Sequence, residues 1–276
     1  MTMEYGLRLA RPEKLPADPR EICQAPWRDA LPQGVLRALY FGTEFCEDLL
    51  PSAGEAAAFC ALADAAGLEA VLLTPIVTPR GLQRLDRLLA ALDGRGCSFS
   101  VSFNDWGVLR LLRSAYGDIP CRAGRLINRG LRDPRLAAKA TYPSSALPDR
   151  GEKLRTLLRS YGVRGVETDP DLDGTYLSSQ ASVLQRVLHL PYAFATSGRN
   201  CLIKAESATE NDSFTKGLGK LCPALCRDRC LQVQRQDTSI PLWRAGNTLF
   251  YQVSAAAVAT HLRRCDRVVL HERPMP

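Results

Sequence analysis

From about residue 35 onward, short runs of aliphatic and β-branched residues alternate with amphipathic runs of helical period. VLRALYFG (35–42) is the first β-like run. Ser52 and Glu55 then stand at capping-box spacing, where each side chain satisfies the other's exposed backbone N–H. The helix they open carries Ala58, Phe59, Leu62 and Ala66 on its apolar face. EAVLLTP (69–75) is the second strand, and Thr78-Pro79 opens the next helix with proline at its first position. Leu82, Leu85, Leu88, Leu89 and Leu92 form the buried stripe of that helix.

The alternation continues. SFSVSF (98–103) precedes a helix over 106–115, and IPCRAGRL (119–126) is a fourth strand. A helix near 151–160 leads to VRGVETD (163–169), and one near 178–187 leads to HLPYAFA (189–195). Each unit spans about 30–35 residues, the size of one βα repeat. Alternation of this kind builds a parallel sheet, and six such strands predict an α/β fold of the (β/α) TIM-like barrel type. An open doubly wound sheet is the alternative, but no GxGxxG follows the first strand to suit a dinucleotide. The tail after residue 235, with LFYQV (249–253) and DRVVLHE (266–272), is short enough to leave the barrel incomplete.

The rhythm breaks over 196–235, which reads as a cysteine-rich insertion within a single domain of 1–276. Of the ten cysteines, Cys23, Cys60, Cys97, Cys121 and Cys265 lie singly, mostly beside apolar runs, and read as small buried hydrophobes. Cys201, Cys222, Cys226 and Cys230 crowd into thirty residues. Cys46 follows the first strand, where a barrel places its working face, and Cys201 follows a later one. The charged start MTMEYGLRLARPEK lacks the apolar core of a signal peptide, and no run of 18 apolar residues offers a membrane span. A cytoplasmic location is expected, which weighs against disulfides.

Three readings of the clustered thiols remain open. Cys222-x₃-Cys226-x₃-Cys230 suits the short spacing of a zinc site, with Cys201 as a distant fourth ligand. An iron–sulfur cluster takes four thiolates from segments far apart. Core packing is the third, opposed by the charges of Arg227, Asp228 and Arg229.

Polar residues at predicted strand ends are candidates for substrate contact: Asn104, Asp105, Arg125, Glu167 and Asp169. Asp105 and Asp171 equally suit helix caps. Arg125 and Arg129 suit bidentate capture of a carboxylate or phosphate, or an exposed basic loop. The formal net charge is +7, but no run of five basic residues occurs, so an RNA partner has only that charge behind it.

LYFGTEFC, LPYAFATSGRNC and CPALC resemble segments of the peptidase U32 family, the collagenase-like peptidases, over about residues 35–270. The matched positions are Gly42 and Cys46; Leu190, Pro191, Arg199 and Cys201; and Cys222 and Cys226. The resemblance implies that these four cysteines bind a [4Fe–4S] cluster and that Arg199 lies near substrate. It implies oxygen-independent hydroxylation of an aromatic or prenylated quinone-type substrate, as in ubiquinone biosynthesis, beside a second U32-family protein. A non-catalytic iron–sulfur partner subunit and RNA-base hydroxylation are the alternatives. Two departures stand out: a longer stretch from Cys201 to Cys222, and the extra thiol of Cys230, which makes Cys226 and Cys230 an alternative pair. Proteolysis is the weakest expectation, because no Ser-His-Asp arrangement or HExxH motif accompanies the three histidines, His189, His261 and His271.

Overall fold

A computed structural model describes residues 2–127, 150–170, 184–199, 201, 203–204, 222, 224–262 and 265–276. Eight strands close on themselves, every neighbouring pair parallel. In order they are β1 (Met3–Arg8), β2 (Gly34–Gly42), β3 (Glu69–Thr74), β4 (Ser100–Phe103), β5 (Cys121–Ala123), β6 (Gly165–Thr168), β7 (Gln185–Leu190) and β12 (Arg267–His271). The expected barrel is therefore complete. The strand that closes it is β1, which lies ahead of the first expected strand and joins β2 to β12.

The helices α1 (Trp27–Ala30), α2 (Ala53–Ala65), α3 (Pro79–Asp93), α4 (Trp106–Ala115), α5 (Arg150–Ser160) and α6 (Ala255–Leu262) accompany the strands. The local signals act as read. Ser52 and Glu55 form a reciprocal capping box, and Thr78 Oγ1 accepts from Gly81 N at 3.1 Å. Leu85, Leu88, Leu89 and Leu92 of α3 and Val108, Leu109 and Leu112 of α4 are buried in one apolar layer with Leu39, Phe41, Leu72 and Val101 of the strands.

Alternate strand residues point into the barrel, where Ala38, Tyr40, Val71, Leu73, Val187 and Val269 form a separate packed core. Gly6 makes room for that core: a Cβ there would lie 2.6 Å from the Tyr40 ring. At the end where the strands begin, Glu69 accepts from Arg122 at 2.7 and 3.0 Å and from Arg267 at 2.7 Å. Ser100 and Glu4 extend this network.

One expected strand is two. HLPYAFA (189–195) divides at Pro191 between β7, in the barrel, and β8 (Tyr192–Ser197), in a second sheet. Proline lacks the N–H that would continue the barrel ladder. The expected helix near 178–187 is corrected over its last residues, since 185–187 belong to β7; residues 178–183 lie outside the described residues. The second sheet is antiparallel, in the order β8, β11 (Thr248–Gln252), β10 (Leu242–Ala245), β9 (Leu231–Val233). The LFYQV segment therefore belongs to this sheet and not to the barrel. All four strands fall between the seventh and eighth barrel strands and form a cap.

Candidate functional site at the mouth of the barrel

Parallel strands deliver their C-terminal ends to one face, and there the barrel gathers buried charge. Arg8 ends β1, Glu44 follows β2, Arg125 follows β5, Asp169 follows β6, and Glu167, His189 and His271 lie on β6, β7 and β12. All seven are buried.

Arg125 is fully buried. Its Nε donates to Glu44 Oε1 at 2.8 Å and its Nη2 donates to Glu44 Oε2. Its Nη1 donates to Asp169 Oδ1 at 2.7 Å and to the Tyr192 carbonyl at 3.2 Å. The guanidinium also stands 5.2 Å from the centre of the Phe45 ring. Burial alone disfavours the charge, but Glu44 and Asp169 outweigh it and raise the Arg125 pKa. Burial likewise works against an ionised Glu44, and Arg125 overrides it to leave Glu44 below the ordinary carboxylate value.

Beside this ion triad, His189 Nε2 lies 3.1 Å from Glu167 Oε2 and His189 Nδ1 lies 2.8 Å from His271 Nε2. Burial, and then repulsion from His189, Arg125 and Arg8, hold His271 well below the ordinary imidazole value, so it is neutral at pH 7. Arg8 donates to the carbonyls of Leu9 at 2.8 Å and Gly42 at 2.6 Å, and burial lowers it to about 10.

The cap and the β2–α2 loop bring the thiols together next to this mouth. Cys226 packs with Leu49 and Ile203, and Cys46, Cys201 and Ala224 lie against the same small cluster. Cys222 is tied to the same segment, its Sγ accepting from Ala224 N, and it contributes to the raised pKa of Cys46 and Cys226. Burial pushes the Cys46 thiol up to about 12 and Cys226 to about 11, with neighbouring thiols adding to each rise. Among the described residues, no three of these sulfurs come within 4.8 Å of one another.

The backbone around the thiols is built to hold them. Thr43 Oγ1 accepts from Cys46 N at 3.3 Å. Ala224 takes the left-handed conformation at φ 56°, and its N–H donates to Cys222 Sγ at 3.4 Å. The β10–β11 turn presses close at Gly246, where φ is 59° and a Cβ would lie 3.2 Å from Cys226 Sγ. Asn247 Nδ2 donates to the carbonyls of Phe45 and Gly198, each at 2.6 Å, and so ties the cap to the loop that carries Cys46. Cys230 stands elsewhere, against Phe45, Phe194, Ala245 and Phe250.

The remaining sequence candidates divide. Asn104 is buried and spends both polar atoms on backbone, donating to Thr74 O at 2.9 Å and accepting from Leu126 N at 2.8 Å. Asp105 caps α4 through Gly107 N at 2.6 Å and accepts from Val77 N at 3.2 Å. Arg125 is engaged by internal carboxylates, and Arg199 is exposed. Arg129 and Asp171 lie outside the described residues. The sequence reading missed Arg8, Glu44, His189 and His271. Two of the three histidines stand in expected strands, which is the one signal that pointed to them.

Fold and site together define a closed, eight-stranded parallel barrel of the TIM-like α/β type, with a cysteine-bearing antiparallel cap beside a buried ionic mouth. No protein-family model matches the sequence, and no curated protein matches it. Among solved structures, the chain is similar to the U32 peptidase Mk0906, at 13% identity over 100% of this chain and 94% of that one, with a TM-score of 0.45. It is also similar to the immunomodulatory active chitinase TsES1 from Trichuris suis, at 9% identity over 96% and 90%, TM-score 0.35. A Group IV chitinase from Ostrinia furnacalis, solved with allosamidin, follows at 8% identity over 98% and 91%, TM-score 0.30. All three TM-scores fall below 0.5, so the fold assignment stands on the strand order of this chain.

Proposed function

We propose that this protein holds a [4Fe–4S] cluster through Cys46, Cys201, Cys222 and Cys226 and serves an oxygen-independent hydroxylation. The observation that carries this reading is the convergence of four thiols, from the β2–α2 loop and the cap, on one patch beside the buried ionic mouth. The donor set is soft and sulfur-only, which suits iron–sulfur or zinc. Four thiolates on a single zinc at about 2.3 Å would sit about 3.8 Å apart. No three of the described sulfurs lie within 4.8 Å of one another, and the choice of a cluster over zinc rests on the motif resemblance.

When bound, such a cluster supplies one-electron redox chemistry. The chain's own part is to bury Cys226, half-bury the other three thiols and hold their loops, with Cys46 just beyond Glu44 in the chain. Phe45, Phe194 and Phe250 lie between cap and barrel, in keeping with a small aromatic or prenylated quinone-type substrate. The hydroxylation, and a second U32-type protein as partner, rest on the motif resemblance of LYFGTEFC, LPYAFATSGRNC and CPALC.

Anaerobic purification tests the reading. The expected product is brown, with about four iron and four sulfide per chain. Serine at Cys46, Cys201, Cys222 or Cys226 is expected to lose the iron, and Cys230→Ser to keep it. A colourless protein with one zinc would refute the cluster. Salt-dependent RNA binding would move the substrate from a small aromatic molecule to a nucleic acid.

A further inference from the structure

A cluster of buried donor atoms stands on the barrel strands, with no thiol among them. One ligand atom each from Glu44, Glu167 and His189 fall within 4.8 Å of one another, and all three residues are buried. They stand on or just after β2, β6 and β7, so the barrel itself fixes their separation. Glu167 is the residue that asks for a ligand. Among the described residues, its Oε1 is buried without a hydrogen-bond partner and its Oε2 meets only His189. Glu44 and Asp169 share Arg125, whereas Glu167 has no guanidinium bonded to it among the described residues. A buried carboxylate left without a cation is costly, so a cation belongs beside it.

The histidine is set up to serve that cation. His189 Nδ1 is held by His271 Nε2 at 2.8 Å, which leaves Nε2 as the nitrogen facing the carboxylates. Metal-bound imidazoles are oriented in this way, with the far nitrogen fixed by a hydrogen bond. Glu44 is likewise oriented from behind by the Arg125 fork.

We propose that Glu44, Glu167 and His189 bind one divalent cation of the manganese or ferrous type. Two carboxylates and one imidazole are an oxygen-rich, borderline donor set, and three protein ligands leave coordination positions open for water or a substrate oxygen.

Mn²⁺ is the probe, because thiolates compete for it poorly. The full chain is titrated with Mn²⁺ and free ion is counted by electron paramagnetic resonance. The expected result is saturable binding of one ion per chain. Pulsed resonance of the bound ion is expected to show coupling to one ¹⁴N nucleus. Glu167→Gln should weaken binding by at least about tenfold. His189→Asn should remove the nitrogen coupling, and Cys226→Ser should change neither. Absence of saturable binding, binding without nitrogen coupling, or binding lost in Cys226→Ser but kept in Glu167→Gln would each overturn the proposal. Should Glu167→Gln fail to fold, the wild-type nitrogen coupling decides alone. The outcome is independent of the thiol site, since iron and sulfide content report that one separately.

Discussion

Arg125 carries the largest electrostatic commitment at the residue scale. Its guanidinium is fully buried and faces two buried carboxylates, so its removal takes the fork from Glu44 and an ion pair from Asp169. Arg125→Met is expected to cost about 3–5 kcal/mol, read as a lower urea midpoint, because breaking a buried pair exposes the desolvation of the partner left behind. Arg125→Lys keeps the charge but cannot form the fork to Glu44 and reach Asp169 together, and should recover only part of the loss. The residue was legible in the sequence as a strand-end arginine. Its role was not, because Glu44 and Asp169 are separated from it by 81 and 44 positions and nothing local marks them as partners. The thiols show the opposite case. Their grouping could be read because cysteine is scarce and its chemistry narrow, and the separation of Cys230 appeared only once the cap had been folded over Phe45.

The strands differ in how openly they announce themselves. β3, β4 and the second half of β2 are buried on both faces and were legible as strands. β1 hides because its inward positions hold Gly6 and Arg8, which read as loop until Tyr40 fills the space beside Gly6. Gly6→Ala is expected to cost about 1–3 kcal/mol through overpacking against that ring, and Tyr40→Leu in the same chain should relieve part of it. Thermal melting of the single and double variants measures both effects.

The starts of β3, β5 and β12 meet at Glu69. Burial would raise its carboxyl, but Arg122 and Arg267 prevail and hold it at about 2, against an ordinary value of 4.5. A folded-state value below the unfolded one stabilises the protein above pH 4.5, and that contribution disappears as pH falls from about 4.5 towards 2. The shift sets an upper bound of about 3 kcal/mol, reduced by the partial exposure of the side chain. The stability gap between wild type and Glu69→Gln is therefore expected to be widest at neutral pH and to close between pH 4.5 and 2. A gap that stays constant with pH would mean that Glu69 acts by shape rather than by charge.

At the scale of the whole molecule, the arrangement of the thiols depends on how an antiparallel cap is fastened to a parallel barrel. The periodicity of the sequence could not show this, because β8 and β11 have the same apolar character as barrel strands and differ only in what they pair with. The fastening is concentrated at Asn247. Its side chain satisfies two carbonyls, Phe45 O beside Cys46 and Gly198 O on the approach to Cys201. Its own carbonyl accepts from Gly198 N at 3.1 Å. The two loops that bear Cys46 and Cys201 are thus held to one turn, and that turn also presses on Cys226 through Gly246. Asn247→Ala leaves the buried Phe45 carbonyl unsatisfied, a cost of about 1–3 kcal/mol, and releases the carbonyl of the exposed Gly198 to solvent. The barrel keeps all eight strands in this variant, so the loss should fall on the cap. The expected signature is a far-ultraviolet spectrum close to wild type, earlier proteolysis within the cap, and iron content reduced well below that of the parent after anaerobic purification. Asn247→Asp keeps one acceptor but offers no N–H to either carbonyl, so it should behave like the alanine variant. Full iron retention in both would show that the thiols are held by the barrel loops alone.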